Sequence, residues 1–456
     1  MILKRTNLDM TEGNALKNII IFTLPLLLGN VFQQLYNIVD SMVVGNFVGD
    51  EALAAVSSSG SLINLLIGLV QGITVGAGIV IAQYFGAKDN EKMRKSIHTT
   101  VIFSFILGIA MTVFGFFMSG QLLIWMKTDE SVLSLSTIYF KVYFLGCIFT
   151  LMYNAGSAIF RAVGDSTHPL YYLIVSSIIN VLLDLLFVGL FKWGVIGAGV
   201  ATIIAQAVSM LITFYRLIFI KTDYQIRIKD LRLDYKELKK IVAYGLPTGI
   251  QNSIISLSNV FIQSNINSFG PMAQAGCGAY SKIEGFATLP SGSFSMALST
   301  FVGQNIGAAK KERAYKGGML GLLCSMLVTE FLGLMLFIFA PNLIWLFSRT
   351  DEVIKIGVLQ ARTVVLFYFL LSFSHGMSGI LRGAGYSKIP MFTMIICWVL
   401  VRITLIPVAL KVPGWNTIRT IFWFYPFTWS LSFVALSIVF IYVFLKMKKE
   451  IKNNMI

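Results

Sequence analysis

Four acidic residues, Asp40, Asp184, Glu284 and Glu330, stand inside runs that are otherwise apolar. An ionisable group in such a run is costly and must face protein or water. Gln33, Tyr36, Asn37 and Asp40 follow the three- and four-residue spacing of one helix face; Asn180 and Asp184 share a face, and so do Thr202 and Gln206. At 1.5 Å per residue, Asp40, Asp184 and Thr202 fall at a similar depth in their runs. Two carboxylates with amide and hydroxyl oxygens at one level suit a proton or a small hard cation such as Na⁺. The same residues could instead form a hydrogen-bond network that only fixes helix packing. Glu284 lies two residues from Lys282, a spacing that turns the pair to different faces, so an ion pair with another helix competes with a substrate role. Glu330, in LVTEFLG, has no polar neighbour on its helix; a place near a membrane surface or an arginine partner would each account for it. His98, His168 and His375 are scattered, and no metal-ligand spacing, nucleophile elbow or phosphate loop occurs in a fitting context, so catalysis is not expected.

The elements that must carry these residues follow from composition. The chain has 456 residues, 36 Lys+Arg against 21 Asp+Glu and a net charge of +15, yet 56% of it is hydrophobic and 12% charged. With a mean hydropathy of +0.77, it has too little polar surface for soluble domains, and disorder, a coiled coil and a collagen-like chain are excluded as well. The basic residues lie in short clusters between apolar runs, which points to a membrane rather than to nucleic acid. A helix needs about 20 mostly apolar residues to cross the ~30 Å hydrocarbon core. Twelve such runs lie near 17–41, 54–82, 96–120, 133–160, 169–190, 195–220, 241–268, 276–304, 317–340, 354–379, 389–410 and 420–445. Cys147, Cys277, Cys324 and Cys397 fall inside these runs and read as packing residues. The first run follows a charged leader without a small-residue cleavage pattern, so it is expected to stay.

With the N-terminus inside, 26 of the Lys and Arg fall on inner segments and six on outer ones, Lys127 among the latter, so both termini are expected on the cytoplasmic side of a plasma membrane. The whole excess of charge then faces anionic lipid headgroups. Residues 83–89, QYFGAKD, recur at 304–310 as QNIGAAK, and 159–169, IFRAVGDSTHP, recur at 380–390 as ILRGAGYSKIP, both at offset 221. Leu24-Pro25 matches Leu246-Pro247 at offset 222, and a one-residue deletion restores register at Gly49 and Gly270. The expected fold is therefore an all-α integral membrane protein of twelve transmembrane helices in two parallel six-helix repeats, 1–220 and 241–456, joined by a polar linker, 221–240. Such repeats suit alternating access around a central site, although a scaffold or pore could share the design. Pro25 and Pro247 should kink their helices, as hinges or as static bends. Gly68, Gly72 and Gly76 allow close helix packing.

LPLLLGNVFQQLYNIVDSMVVGNFVG at 24–49, VGAGIVIAQYFGAKD at 75–89, FRAVGDSTHP at 160–169, NVLLDLLFV at 180–188 and GVIGAGVATIIAQ at 194–206 together resemble the multidrug and toxic compound extrusion (MATE) family over essentially the whole chain. The resemblance implies two lobes, a central cavity, and export of cationic or amphipathic compounds against inward flow of Na⁺ or H⁺, with no further cofactor. It places the cation site at Asp40, Asn180, Asp184 and Thr202, with Asn154 as a further member at a less consistent depth. Candidates for the substrate cavity are Gln33, Gln34, Tyr36, Asn37, Gln206, Gln251, Gln263 and Glu284. Some family members carry acidic residues in the seventh and tenth helices; the seventh run here offers Gln251, Asn252, Asn259 and Gln263 and the tenth has no carboxylate, so coupling is expected in the N-terminal half. A flippase of lipid-linked oligosaccharides is the alternative that Lys282 and Arg402 keep open, and a non-transporting scaffold or receptor is a third reading. The protein is expected to act as a monomer.

Overall fold

The structure is a computed structural model that describes residues 8–126 and 128–453; the side chains at 50, 53–54, 57–62, 64 and 446–453 are outside the description. Lys4, Arg5, Lys127 and the side chains of Lys446, Lys448, Lys449 and Lys452, all counted in the charge asymmetry, lie outside the described residues.

Among the described residues the regular structure is helical. The first half comprises α1 (Ala15–Phe47), α2 (Asp50–Gly86), α3 (Asn90–Trp125), α4 (Glu130–Leu145) with α5 (Cys147–Ala162), α6 (Thr167–Asp184) continued by a π-helical stretch Leu185–Leu190, and α7 (Gly194–Phe219). The second comprises α8 (Tyr235–Asn267), α9 (Pro271–Ala287) with α10 (Leu289–Gly307), α11 (Lys311–Trp345), and α12 (Asp351–Val364) joined by a 3₁₀ turn Val365–Phe367 to α13 (Tyr368–Gly383). It ends with α14 (Lys388–Met394), which passes through a π-helical stretch Ile395–Leu400 into α15 (Val401–Leu410), and with α16 (Ile418–Asn453). Taken as continuous or broken runs these are the twelve expected spans. Among the described residues nine helices are long and apolar enough to cross a membrane unaided, and the α4–α5 pair, bent by 46°, makes a tenth. The runs outside that count are α8, which carries Lys239, Lys240, Asn252 and Asn259, and α9–α10, which is divided at Thr288 and carries Lys282 and Glu284.

Helix starts are set by short acids. Asp89 accepts from Lys92 N at 3.1 Å, Asp129 from Ser131 N at 2.9 Å, and Asp165 from Thr167 N and His168 N, both at 3.1 Å. The donors at Asp89 and Asp129, Lys92 ammonium foremost at the first and the Ser131 hydroxyl at the second, hold both carboxyl groups below the ordinary range for aspartate. The repeat is visible in the backbone. Left-handed φ angles at Gly49, Lys88 and Gly164 (112°, 56° and 89°) recur at Gly270, Ala309 and Gly385 (96°, 58° and 91°), each pair 221 residues apart.

Packing divides the chain into two compact units whose membership differs from the two halves of the sequence. Of the described residues, one unit takes 8–10 with Leu24–Gly249 and the other Thr11–Thr23 with 250–453. The start of α1 thus belongs with the second unit and the start of α8 with the first, and the chain changes unit close to Pro25 and Pro247. In the first unit, Gly72 and Gly76 of α2 meet the backbone of α8: a Cβ on Gly72 would lie 2.1 Å from Gly249 N, and one on Gly76 2.4 Å from Gly245 N. Glu237 of α8, buried, accepts from Ser96 Oγ at 2.9 Å and from Tyr84 OH and Lys240 Nζ, both at 3.1 Å. In the second unit, Lys310 Nζ donates to Thr11 O at 3.0 Å and the Arg313 guanidinium to Gly13 O and Glu12 O at 2.7 and 2.8 Å. Residues 221–240, expected as a linker, are packed onto the first unit, with Tyr224 and Ile226 buried in its core.

Candidate functional site

The first unit brings together residues from α1, α4, α6 and α7. Asp184 is the last α-helical residue of α6, fully buried, at the point where the helix widens into the π stretch Leu185–Leu190. Such widening breaks the regular hydrogen-bond ladder and turns side chains off the helical repeat. Asn180 stands one turn earlier with 1% exposure. Helix α7 packs on α6, with Ser176 Oγ donating to Ala205 O at 2.9 Å, and contributes Thr202, whose hydroxyl donates to Ala198 O at 3.0 Å and keeps its oxygen lone pairs free of that bond. Asp40, half-buried on α1, lies close enough to Asp184 for the two carboxyl groups to act directly on each other.

The arrangement contains buried polar atoms without hydrogen-bond partners among the described residues. Asp40 Oδ1, both carboxyl oxygens of Asp184 and both amide heteroatoms of Asn180 are shut off from solvent without a hydrogen-bond partner. Buried polar atoms are nearly always paired, and an unpaired buried carboxylate is among the more expensive arrangements a protein can hold. Among the described residues, the charged group acting on Asp184 is Asp40, of the same sign. The oxygens of Asp40, Asn180, Asp184 and Thr202 are of the type that accepts a proton or ligates a small hard cation.

Two residues that spacing did not single out complete the surroundings. Tyr139 and Tyr143, one turn apart on α4 with ring centroids 6.3 Å apart, both act electrostatically on Asp40, and Tyr139 also on Asp184. Tyr36 of α1 stands in the same field. In sequence the α4 pair looks like ordinary aromatic packing; its i, i+4 spacing was the available signal.

Other candidates are placed differently. Asn154 of α5 donates its amide to Thr150 O of its own helix at 2.9 Å. Along α1, Gln34, Tyr36 and Asp40 are half-buried while Gln33 and Asn37 are exposed, so the expected stripe divides into two faces. Gln206 is half-buried on α7. In the second unit Gln251 is buried, its amide nitrogen 2.6 Å from Met394 Sδ, and Gln263 bonds Asn267 Oδ1 at 2.9 Å. Glu284 accepts from Tyr280 OH at 3.2 Å and Tyr368 OH at 3.4 Å, within range of the buried Arg402, which donates from Nε to Thr428 Oγ1 at 3.1 Å. Glu330 accepts from Phe369 N at 2.9 Å and also from Tyr368 N, capping α13 where the tenth run breaks.

Known proteins extend this picture. The MatE family model matches residues 25–186 and again 247–408. The chain is 30% identical over 383 residues to the probable multidrug resistance protein YoeA of Bacillus subtilis, covering 82% of each chain. It is 29% identical over 394 residues to the probable multidrug resistance protein YpnP of the same organism, covering 86% of this chain and 88% of that protein. Its fold matches a MOP superfamily transporter from Pyrococcus furiosus with a TM-score of 0.89 at 22% identity, over 97% of this chain and 98% of that one. With the family model matched once in each half and the helical repeat beneath it, the chain belongs to the MatE family, whose members are transporters and not enzymes.

Proposed function

We propose that this protein is a secondary active antiporter that exports cationic or amphipathic compounds in exchange for H⁺ or Na⁺ by alternating access. The observation that carries the reading is the buried pair Asp40 and Asp184 beside Asn180, in which Asp40 Oδ1 and both Asp184 oxygens have no hydrogen-bond partner among the described residues, so that a proton or cation would relieve their charge. Thr202 supplies a further oxygen; Tyr36, Tyr139 and Tyr143 line the surroundings. The coupling ion and the substrate cation compete for the two carboxylates, so each ligand favours a different state of the transporter by its differential affinity. Pro25 and Pro247, where α1 and α8 pass from one compact unit to the other, serve as hinges in this scheme. Within the first unit the exposed amides of Gln33 and Asn37, with the half-buried Gln34 and Gln206, are the groups offered to the substrate. The protein works as a monomer in the plasma membrane with both termini cytoplasmic, the orientation favoured by the distribution of Lys and Arg.

Relatives named for multidrug resistance and multidrug export support the substrate class. The test is equilibrium binding of a fluorescent organic cation to purified protein titrated with Na⁺ or protons. Competition raises the apparent Kd in proportion to ion concentration once the ion exceeds its own Kd. A Kd independent of both ions would refute a shared site.

A further inference from the structure

The segment between α7 and α8 is held to the protein at an unexpected height. After α7 ends at Phe219 the chain turns back: Ile226 N donates to Leu217 O at 2.8 Å and the Gln225 side-chain amide to Ile218 O at 2.7 Å. Further on, Arg227 N meets His98 Nε2 at 3.4 Å, and Asp234 N donates to Thr99 Oγ1 at 3.0 Å. His98 and Thr99 lie eight and nine residues into α3, about 12 Å along it from Asn90. His98 and Thr99 open the apolar run 96–120 and Leu217 and Ile218 close the run 195–220, so residues 226–234 lie level with the ends of these runs.

At that height the segment presents two kinds of side chain outward. Ile228, Leu233 and Tyr235 are 63%, 43% and 75% exposed. Lys221, Arg227, Lys229, Arg232, Lys236 and Lys239 are exposed around them, against Asp223 and Asp230 as the exposed acids. Tyr224 and Ile226 fill the inner side, so the outward face is a built surface and not a loose loop. A loop bathed in water gains nothing by displaying three large apolar side chains. The boundary between headgroups and acyl chains accommodates apolar side chains with flanking cations, whose stems lie along the apolar layer and whose charges reach the phosphates.

We propose that residues 221–239 form an interfacial surface that binds anionic phospholipids: Ile228, Leu233 and Tyr235 enter the headgroup–acyl boundary, and the basic side chains around them hold the phosphate groups. The inference is independent of the transport reading, since it rests on depth, exposure and charge alone.

The experiment uses the full-length protein carrying Ile228→Cys or Leu233→Cys, labelled with an environment-sensitive fluorophore and reconstituted into phosphatidylcholine vesicles with or without phosphatidylglycerol. Insertion gives blue-shifted emission, quenched by lipids spin-labelled high on the acyl chain, and more strongly by spin-labelled phosphatidylglycerol than by spin-labelled phosphatidylcholine. Replacing Arg227, Lys229 and Arg232 together by Gln should remove that preference, at about five-fold in lipid affinity per basic residue, without changing the elution profile of the protein, because all three side chains are exposed. Water-like emission that no spin-labelled lipid quenches would overturn the proposal. Equal quenching by the two lipids would overturn its anionic part.

Discussion

At the scale of single residues, the acids in apolar surroundings are distinguished by what they meet. Glu330 meets the amides of Phe369 and Tyr368 and serves as a helix cap at the break before α13. Glu284 meets two tyrosine hydroxyls. Asp40 and Asp184 act on each other, and Asp40 Oδ1 and both Asp184 oxygens are buried without another partner among the described residues. Spacing in the sequence marked Asp40 and Asp184 as a pair because both had polar companions one turn away. Glu330 stood apart from them because it has no polar neighbour on its helix, but its partner was not legible, since that partner is a backbone amide 39 residues away, and amides carry no sequence signal. The two classes should part experimentally. Glu330→Ala should lower stability by about 0.5–2 kcal/mol, the usual worth of an N-terminal cap, seen as a lower midpoint in thermal unfolding, while Glu330→Gln keeps an acceptor and most of that stability. Both variants should retain ion-driven transport.

At the scale of elements, the sequence announced α2 as a small-residue ladder but not its partner. Gly72 and Gly76 matter because Gly245 and Gly249 bring α8 against them, and a Cβ on Gly249 would lie 2.1 Å from Leu69 O. Backbone on both sides leaves nothing soft to yield. Gly249→Ala should cost about 1–3 kcal/mol, as overpacking does, read as a lower unfolding midpoint in detergent, whereas Gly278→Ala on α9, where a Cβ would meet nothing within 4 Å, should hold or raise the midpoint, as a helical Gly→Ala change does. Glu237 was absent from the sequence reading because it precedes the apolar run and looks like part of a solvated linker. Its burial comes from Tyr84 and Ser96, about 150 residues away in the chain. Glu237→Ala leaves those donors unmet, at about 1–3 kcal/mol for the group, and hydrogen exchange should rise first in residues 221–245. Uniform exchange across the chain would mean that the contact fastens nothing.

At the scale of the whole molecule, the twelve runs and their duplication were legible because the membrane demands long apolar helices and because turn residues recur at offset 221; the left-handed backbone at Gly49, Lys88 and Gly164 and their counterparts follows the same offset. The composition of the compact units was not legible, since it depends on which helix ends pack together, and those contacts join residues about 150 to 300 apart, such as Tyr84 with Glu237 and Thr11 with Lys310. What makes the molecule a transporter, in this account, is a site in one unit that must take up and release a positive charge. The direct test is efflux of a fluorescent cation from membrane vesicles under an imposed pH or Na⁺ gradient, each applied alone, for the native protein and for Asp40→Asn and Asp184→Asn. The native protein should export under at least one gradient, and each variant should show no gradient-driven export while remaining folded by its unfolding midpoint. Full export by either variant would contradict a role for the Asp40–Asp184 pair in coupling.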